Sequence, residues 1–446
     1  MALYSPRSNI QAHMQSNTNA HVVVIGGGPG GSTAATLLAR DGFRVTLLEK
    51  TAHPRFHIGE SLLPANLSLL DKLGVRAAVE KIGMKKWGVE FNSPNHDYSS
   101  GVEFAEAWDK TMPYSFQVRR SEFDEILFRN AAAAGATALE NTTVTLVHFD
   151  RDGVRVDVKD AFGNASTVNA DFVVDASGRD TFLSSRLKLK EKNAKHNSVA
   201  VFGHFTNAER LPGKREGDIS IFWFDHGWIW FIPLSDGTTS VGAVCWPHYL
   251  ASREKSLKDF FMDTVSMNTR LADRLKHAKL VDDLVHAAGN YSYSSRRATG
   301  ERYLLVGDAF AFVDPVFSSG VYLAMHNAFD AASTVATCLR EPRAAHSAMA
   351  KYEKRVRQGP TEFSWFIYRV TNPIMRELFM APRNLMRAKE AVLSVLAGHI
   401  FDHKAIRPSL WVFKSIYYIA SALNLKQTLA AKARRKINIQ DTPAAL

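Results

Sequence analysis

Apolar runs along this chain alternate with glycine-rich or polar breaks, a pattern that predicts a mixed α/β fold. His21 to Ile25 is an apolar run that ends in Gly26-Gly27-Gly28-Pro29-Gly30-Gly31, and Ala34 to Ala39 then reads as a helix. Phe43 to Leu48 is the next strand, closed by Glu49. Short apolar runs bounded by turn residues suit strands buried on both faces. Two more such runs end in small-residue turns: Val173-Val174-Asp175-Ala176-Ser177-Gly178 and Tyr303-Leu304-Leu305-Val306-Gly307-Asp308-Ala309. A different pattern marks Trp228-Ile229-Trp230-Phe231-Ile232-Pro233. Side chains two apart on a strand share a face, so Trp228, Trp230 and Ile232 form one apolar wall. Ile229 and Phe231 lie behind it, and Pro233 ends the run. From Phe363 to Asn424 the period becomes helical, broken at Pro373, Pro382 and Pro408. Leu410, Phe413, Tyr417 and Ala420 would line one face of a helix there.

Composition narrows the class without naming it. The chain has 446 residues, room for two or three domains and a large core. Its two cysteines, Cys245 and Cys338, lie far apart and lack metal-ligand spacing, so neither a disulfide framework nor a zinc site is expected. A reducing, cytoplasmic setting suits them. The first twenty residues are polar without an apolar core, which reads as a disordered tail rather than a signal peptide. No uninterrupted apolar stretch reaches the ~18 residues of a membrane span. The net charge of +11 is partly concentrated in Lys188, Lys190, Lys192 and Lys195, and in Lys432, Arg434, Arg435 and Lys436. No reader module or interleaved aromatics accompany it, so nucleic acid is not the expected partner. An acidic protein partner, or simple solubility, fits better.

The glycine loop lies between a strand and a helix, the context in which such a loop binds a dinucleotide. Gly26 allows the tight turn, Gly28 lets the backbone approach a pyrophosphate, and Gly31 permits close packing of helix on strand. Glu49 stands where it can accept hydrogen bonds from a ribose. FAD and NAD both satisfy that geometry. The two later turns favour FAD, because the Asp308 carboxylate after Gly307 can bind ribityl hydroxyls. Together these three segments resemble the group A FAD hydroxylase superfamily over roughly residues 20 to 335. That resemblance implies that Arg120, or its neighbour Arg119, also lies near the cofactor.

Four motifs narrow the resemblance to the flavin-dependent halogenases. Trp228-x-Trp230-x-Ile232-Pro233 resembles their signature, and Phe312-Val313-Asp314-Pro315-Val316-Phe317-Ser318-Ser319-Gly320 resembles a second. The latter implies that the amides of Ser319 and Gly320 hold chloride or bromide. His57-Ile58-Gly59-Glu60-Ser61-Leu62-Leu63-Pro64 is similar to the mobile strap beside the flavin. Met84-Lys85-Lys86-Trp87-Gly88-Val89-Glu90-Phe91 is similar to the segment that carries the catalytic lysine, and Gly88 with Phe91 selects Lys86 over Lys85. In such enzymes FADH2 and O2 give a flavin hydroperoxide, and halide attack on it gives hypohalous acid. The acid then passes the indole wall to the lysine, and electrophilic substitution of an aromatic ring follows.

Phe317 stands where halogenases of tryptophan carry a glutamate, so the resemblance is to the phenol and pyrrole branch. Some members of that branch act on a ring tethered to an acidic acyl carrier protein. A separate reductase would supply FADH2. The alternative is an aromatic hydroxylase that uses NAD(P)H and needs no halide. The expected organisation is an FAD-binding Rossmann-type domain in residues 21–90, 115–185 and 295–340. An antiparallel-sheet substrate domain is expected in 91–114 and 186–294, and a helical C-terminal lid in 341–446.

Overall fold

A computed structural model describes residues 19–289, 292–401 and 404–440. The tail expected over residues 1–20 lies, up to residue 18, outside this range. The architecture is α/β, with two large sheets and a helical C-terminal region.

The first sheet has six strands in the order Thr299–Gly300, Tyr303–Leu305, Phe172–Asp175, His21–Ile25, Arg44–Leu48, Thr137–Leu139. His21–Ile25 sits centrally and pairs in parallel with both Phe172–Asp175 and Arg44–Leu48. Val22, Val23 and Val24 are wholly buried, as an apolar strand covered on both faces should be. Parallel pairing points the carboxyl ends of five strands at one edge, four of them followed by segments of the expected site. The segments that follow those strands therefore converge there: the Gly26 loop, Glu49, Ala176–Gly178 and Gly307–Asp308. A crevice at that edge is where an open α/β sheet holds its ligand.

The second sheet has eight strands, with a main path of Lys279–Leu280, Val199–Thr206, Thr239–Cys245, Gly227–Pro233, Ile219–Phe224, Gly88–Asn92 and Ser99–Glu103. It is antiparallel except at one join, where Gly88–Asn92 runs parallel to Ile219–Phe224. Alternation along Gly227–Pro233 sorts its side chains into two different cores. Trp228, Trp230 and Ile232 join a cluster shared with the C-terminal helices. Ile229 and Phe231 face the opposite cluster, which includes Phe261 and Leu271 of the helices Leu257–Ser266 and Thr269–Leu275. Gly242 lies opposite Trp230 in the register, where a Cβ would fall 2.2 Å from the indole. Only glycine leaves room for that ring.

The long helix Ser319–Arg340 packs on the first helix, Pro29–Arg40. Beyond it come helices Ala345–Ile367, Pro373–Met380, Ala388–Leu396, Arg407–Leu423 and Leu425–Gln440. Pro373 and Pro408 stand in first turns, where the missing N–H costs nothing. Pro360, by contrast, lies inside Ala345–Ile367 without ending it. Leu410, Phe413 and Tyr417 are buried on the inner face of Arg407–Leu423, with Ala420 half-buried beside them. No helix among the described residues is long and apolar enough to cross a membrane.

Candidate active site

Three neighbouring cavities share wall residues. The first, about 580 Å³, lies along the carboxyl edge of the parallel sheet and is lined by Gly26, Gly28, Glu49, Arg120, Asp308 and Gly320, among others. Gly26 has φ +99°, and a Cβ on it would fall 2.5 Å from the Ala176 carbonyl oxygen. Gly31 is tighter still, with a Cβ 1.9 Å from the Gly26 oxygen. The backbone is thus shaped for close approach. Glu49 accepts from the Gly27 N–H at 2.8 Å and from Arg55 at 3.2 Å. Burial alone would raise the Glu49 carboxyl, but Arg55 and these donors hold it below its ordinary value.

Arg120 and Arg119 separate cleanly. Arg120 is buried at the start of helix Arg120–Ala133, forks onto Asp124 at 2.8 and 3.0 Å, and reaches the Ile58 carbonyl at 3.0 Å. Arg119 turns away to Asp236 at 2.7 Å. Asp308 lies deep in the cavity, where burial pushes its carboxyl up to about 6 against the pull of Arg179 and Arg120. A carboxylate held there is short of donors, and ribityl hydroxyls would supply them. A backbone cradle, the Glu49 carboxylate in the cavity wall and this acid together fit FAD.

The second cavity, about 110 Å³, adjoins the first, and His57, Arg120, Arg179, Asp308, Gly320 and Val321 line both. Trp228, Trp230 and Ile232 form its far wall, with the Gly59-Glu60-Ser61 strap opposite in sequence and Ser318 and Gly320 at the helix start. The two indoles lie 6.1 Å apart, centroid to centroid. Pro233 completes the Trp strand but lines neither cavity. Gly320 is the second residue of Ser319–Arg340, and a Cβ there would meet nothing within 4 Å. First-turn amides of a helix lack partners within it and carry its positive end. Ser318, at φ 55°, makes the turn into that helix and lines the cavity, whereas Ser319 is buried and does not.

The third cavity is a small space of about 20 Å³ that shares Ile219 and Ser318 with the second. Lys86 and Phe317 line it, together with Phe91, Phe104 and Leu396, and no carboxylate does. Lys86 ends a short strand, Met84–Lys86, paired with Ser115–Gln117. Alternation turns its side chain inward, 1% exposed, while Lys85 points out to Glu80. The Lys86 Nζ donates to Ser61 Oγ at 2.9 Å and to the Leu62 carbonyl at 3.1 Å. Burial lowers its pKa to about 7, opposed by the charge of Asp218. Phe317 packs against Phe366 and Phe379 of the C-terminal helices.

The sequence alone assigns no role to several residues of this site. Asp314, 1% exposed, accepts from Trp228 Nε1 at 3.2 Å and from the Ser198 hydroxyl at 2.9 Å, with His196 Nε2 at 3.0 Å. Arg179 lines the first two cavities, and Asp218 caps the Trp87 and Gly88 amides at 2.8 and 2.7 Å. Asp314 lies inside a motif singled out above, and its place before Pro315 was the available clue.

Comparison with known proteins follows the same lines. A family model described as an FAD binding domain matches residues 19–363. The chain is 32% identical over 409 residues to the 1H-pyrrole-2-carbonyl-(peptidyl-carrier protein) chlorinase of Pseudomonas fluorescens, covering 86% of this chain and 90% of that one. It is 37% identical over 354 residues to a tryptophan 2-halogenase of Chondromyces crocatus, covering 76% of this chain and 66% of that one, just under two thirds of its length. Among solved structures, the myxobacterial chondrochloren halogenase CndH superposes with a TM-score of 0.76 at 31% identity, over 90% of this chain and 96% of that one.

Proposed function

The chain belongs to the flavin-dependent halogenases, and from that premise we propose that it halogenates an electron-rich phenol or pyrrole ring delivered as a carrier-bound thioester. The observation that carries this reading is Lys86: a buried amine with its pKa near 7, one cavity beyond the indole wall.

FAD held by the glycine loop, Arg120 and Asp308, and reduced by a separate reductase, would supply with O2 the chemistry that turns chloride or bromide into hypohalous acid. Around it the chain holds and separates. Gly320, with the amide of Ser319 behind it, offers the positive helix end to the halide. Trp228, Trp230 and Ile232 keep ring and water from the flavin side. Lys86 receives the hypohalous acid. In its neutral form the amine attacks the halogen, an N–X bond forms as the O–X bond breaks, and water leaves with the amine proton. Transfer to the ring then forms C–X, breaks N–X and returns the ring proton to the amine. A lysine at its ordinary pKa would be almost wholly protonated near neutrality; burial supplies the reactive form.

Overall similarity does not choose the ring, since one relative is named for tryptophan. Phe317 supports phenol or pyrrole, because a cavity without a carboxylate favours rings activated by their own hydroxyl or nitrogen. Tethering is supported by the net charge and by similarity along 90% of a chlorinase named for a carrier-bound pyrrole. The NAD(P)H hydroxylase alternative is not favoured, as the relatives are named halogenases.

Mass spectrometry of a phenol and pyrrole panel, free and carrier-bound, tests this reading with enzyme, FAD, reductase, NADH and either halide. Halogen isotope patterns that vanish in Lys86→Ala support it. An added oxygen independent of halide overturns it, and equal rates on free and tethered rings remove the carrier.

A further inference from the structure

Residues 404–440 contain eight lysines and arginines and not one aspartate or glutamate. The fold doubles this stretch back as helices Arg407–Leu423 and Leu425–Gln440. Between them and helix Ala345–Ile367 lies a groove of about 800 Å³, remote in sequence from the halogenase motifs. Lys195, Arg369, Lys432, Arg435 and Lys436 line it, and none of its lining residues is acidic. Two of the five basic side chains reach only neutral oxygens or rings. Arg435 donates to the Lys195 carbonyl at 2.6 Å and to the Tyr368 carbonyl. Arg369 lies 4.5 Å from the Trp365 ring and donates to the Tyr418 hydroxyl at 3.2 Å. Burial lowers the Arg435 guanidinium to about 10, opposed by Tyr368, Tyr417 and Asp314, with the Arg369 charge acting in the same direction as burial. Like charges gathered in a wall that has no carboxylate of its own repel one another, and a bound anion would relieve that repulsion.

The groove shares no wall residue with the Lys86 cavity, and a short run of packed aromatic rings lies between them. Trp365 faces the groove and packs edge-on against Phe366 at 4.9 Å. Phe366 in turn meets Phe317, a lining residue of the Lys86 cavity, at 6.1 Å. Tyr368, at the groove floor, lies 6.0 Å from His196, the partner of Asp314. On the outer surface of the two helices Trp411, Ile419, Leu423 and Leu429 are exposed among the basic residues. A concave, aromatic-floored, cationic slot suits a slender anionic chain projecting from an acidic, partly apolar surface better than it suits a flat bilayer.

We infer that this groove docks the phosphate-bearing arm of an acidic carrier domain, and so brings the tethered ring to the outer side of the Lys86 cavity. This deepens the carrier-bound reading above and rests on it.

Titration of 4′-phosphopantetheine into the full-length protein is the direct test, with pantetheine as the control lacking phosphate. Saturable binding that weakens at least tenfold without the phosphate, and likewise in Lys432→Glu/Lys436→Glu, supports the site. Equal binding of both compounds, no binding at millimolar concentration, or binding untouched by the double substitution overturns it. A second measurement compares halogenation of one ring, free and as a thioester on an acidic holo carrier domain. A tenfold or greater loss confined to the tethered ring in the double variant supports the groove. If wild type halogenates the tethered ring and the variant does so equally well, the groove is overturned while the carrier-bound reading stands. If wild type halogenates only the free ring, the carrier-bound reading fails first and the groove with it. Binding to phosphatidylserine vesicles that the double variant loses, with carrier turnover unchanged, assigns the surface to a membrane instead.

Discussion

Trp228 donates its indole N–H to Asp314 at 3.2 Å, and this bond ties the indole wall of the second cavity to the loop that leads into helix Ser319–Arg340. The same carboxylate accepts the Val316 amide at 3.2 Å, the Ser198 hydroxyl and a contact from His196. One buried acid thus fixes both the orientation of the indole and the entry to the helix whose second residue, Gly320, lines the first two cavities.

Asp314→Asn should separate these two jobs from cofactor binding. An asparagine amide keeps one acceptor oxygen and puts an NH2 donor in place of the other. Ser198 and His196 on that side must then reorganise or lose their partner, and a buried donor left unpaired costs about 1–3 kcal/mol. FAD affinity should stay within twofold, because Asp314 does not line the FAD cavity. The ratio of halogenated product to released hydrogen peroxide should fall several-fold. An unchanged ratio beside a lowered Tm would make Asp314 a packing residue only.

Lys86→Met should remove halogenation and make the protein more stable. The Lys86 pKa is lowered from 10.5 to about 7, so between those values the unfolded chain binds a proton that the native state does not. Stability contributed by this group therefore rises with pH across that window, and below about pH 7 the native state bears the full cost of a buried ammonium. The methionine variant should gain most in Tm below pH 7 and progressively less towards pH 10. A gain independent of pH would mean that the lysine is not desolvated as its burial implies.

The amine route makes a separate forecast about the oxidant. Enzyme supplied with FADH2, O2 and chloride, but no ring, should retain titratable oxidising equivalents after gel filtration. Retention should be greater at pH 8 than at pH 6, since the neutral amine is the form that accepts the halogen, and absent in Lys86→Met. Greater retention at pH 6 would favour an ammonium that merely hydrogen-bonds the acid.

What could be read from the sequence was whatever local periodicity controls. Strand alternation alone places Trp228 and Trp230 on one face and Ile229 and Phe231 on the other, and the two cores divide in that way. The glycine loop is legible because a strand–turn–helix leaves few residues that fit. Asp314, Arg179 and Asp218 were not legible as partners, since each meets groups more than eighty residues away and no spacing encodes such a contact. The basic tail was visible as charge, but its groove exists only because helix Leu425–Gln440 folds back over Tyr368 and Lys195. The parallel pairing of Gly88–Asn92 with Ile219–Phe224 was equally hidden, because strand order is a property of the assembled sheet.

Gly242→Ala tests the wall without touching a polar atom. The new Cβ would fall 2.2 and 2.4 Å from ring carbons of Trp230 and 2.6 Å from the Phe202 Cβ. Overpacking of this kind costs about 1–3 kcal/mol, and the sheet behind the indole gives it no way to retreat. Trp230 must then shift into the cavity of about 110 Å³ that it lines, the space through which, on the proposed mechanism, hypohalous acid would pass to Lys86. FAD binding should persist, because Trp230 lines none of the larger cavity. Ring halogenation should drop about tenfold while hydrogen peroxide release rises, a split that simple instability would not give. If Tm falls but the product yield per flavin oxidised does not, the acid reaches Lys86 by a path that avoids Trp230.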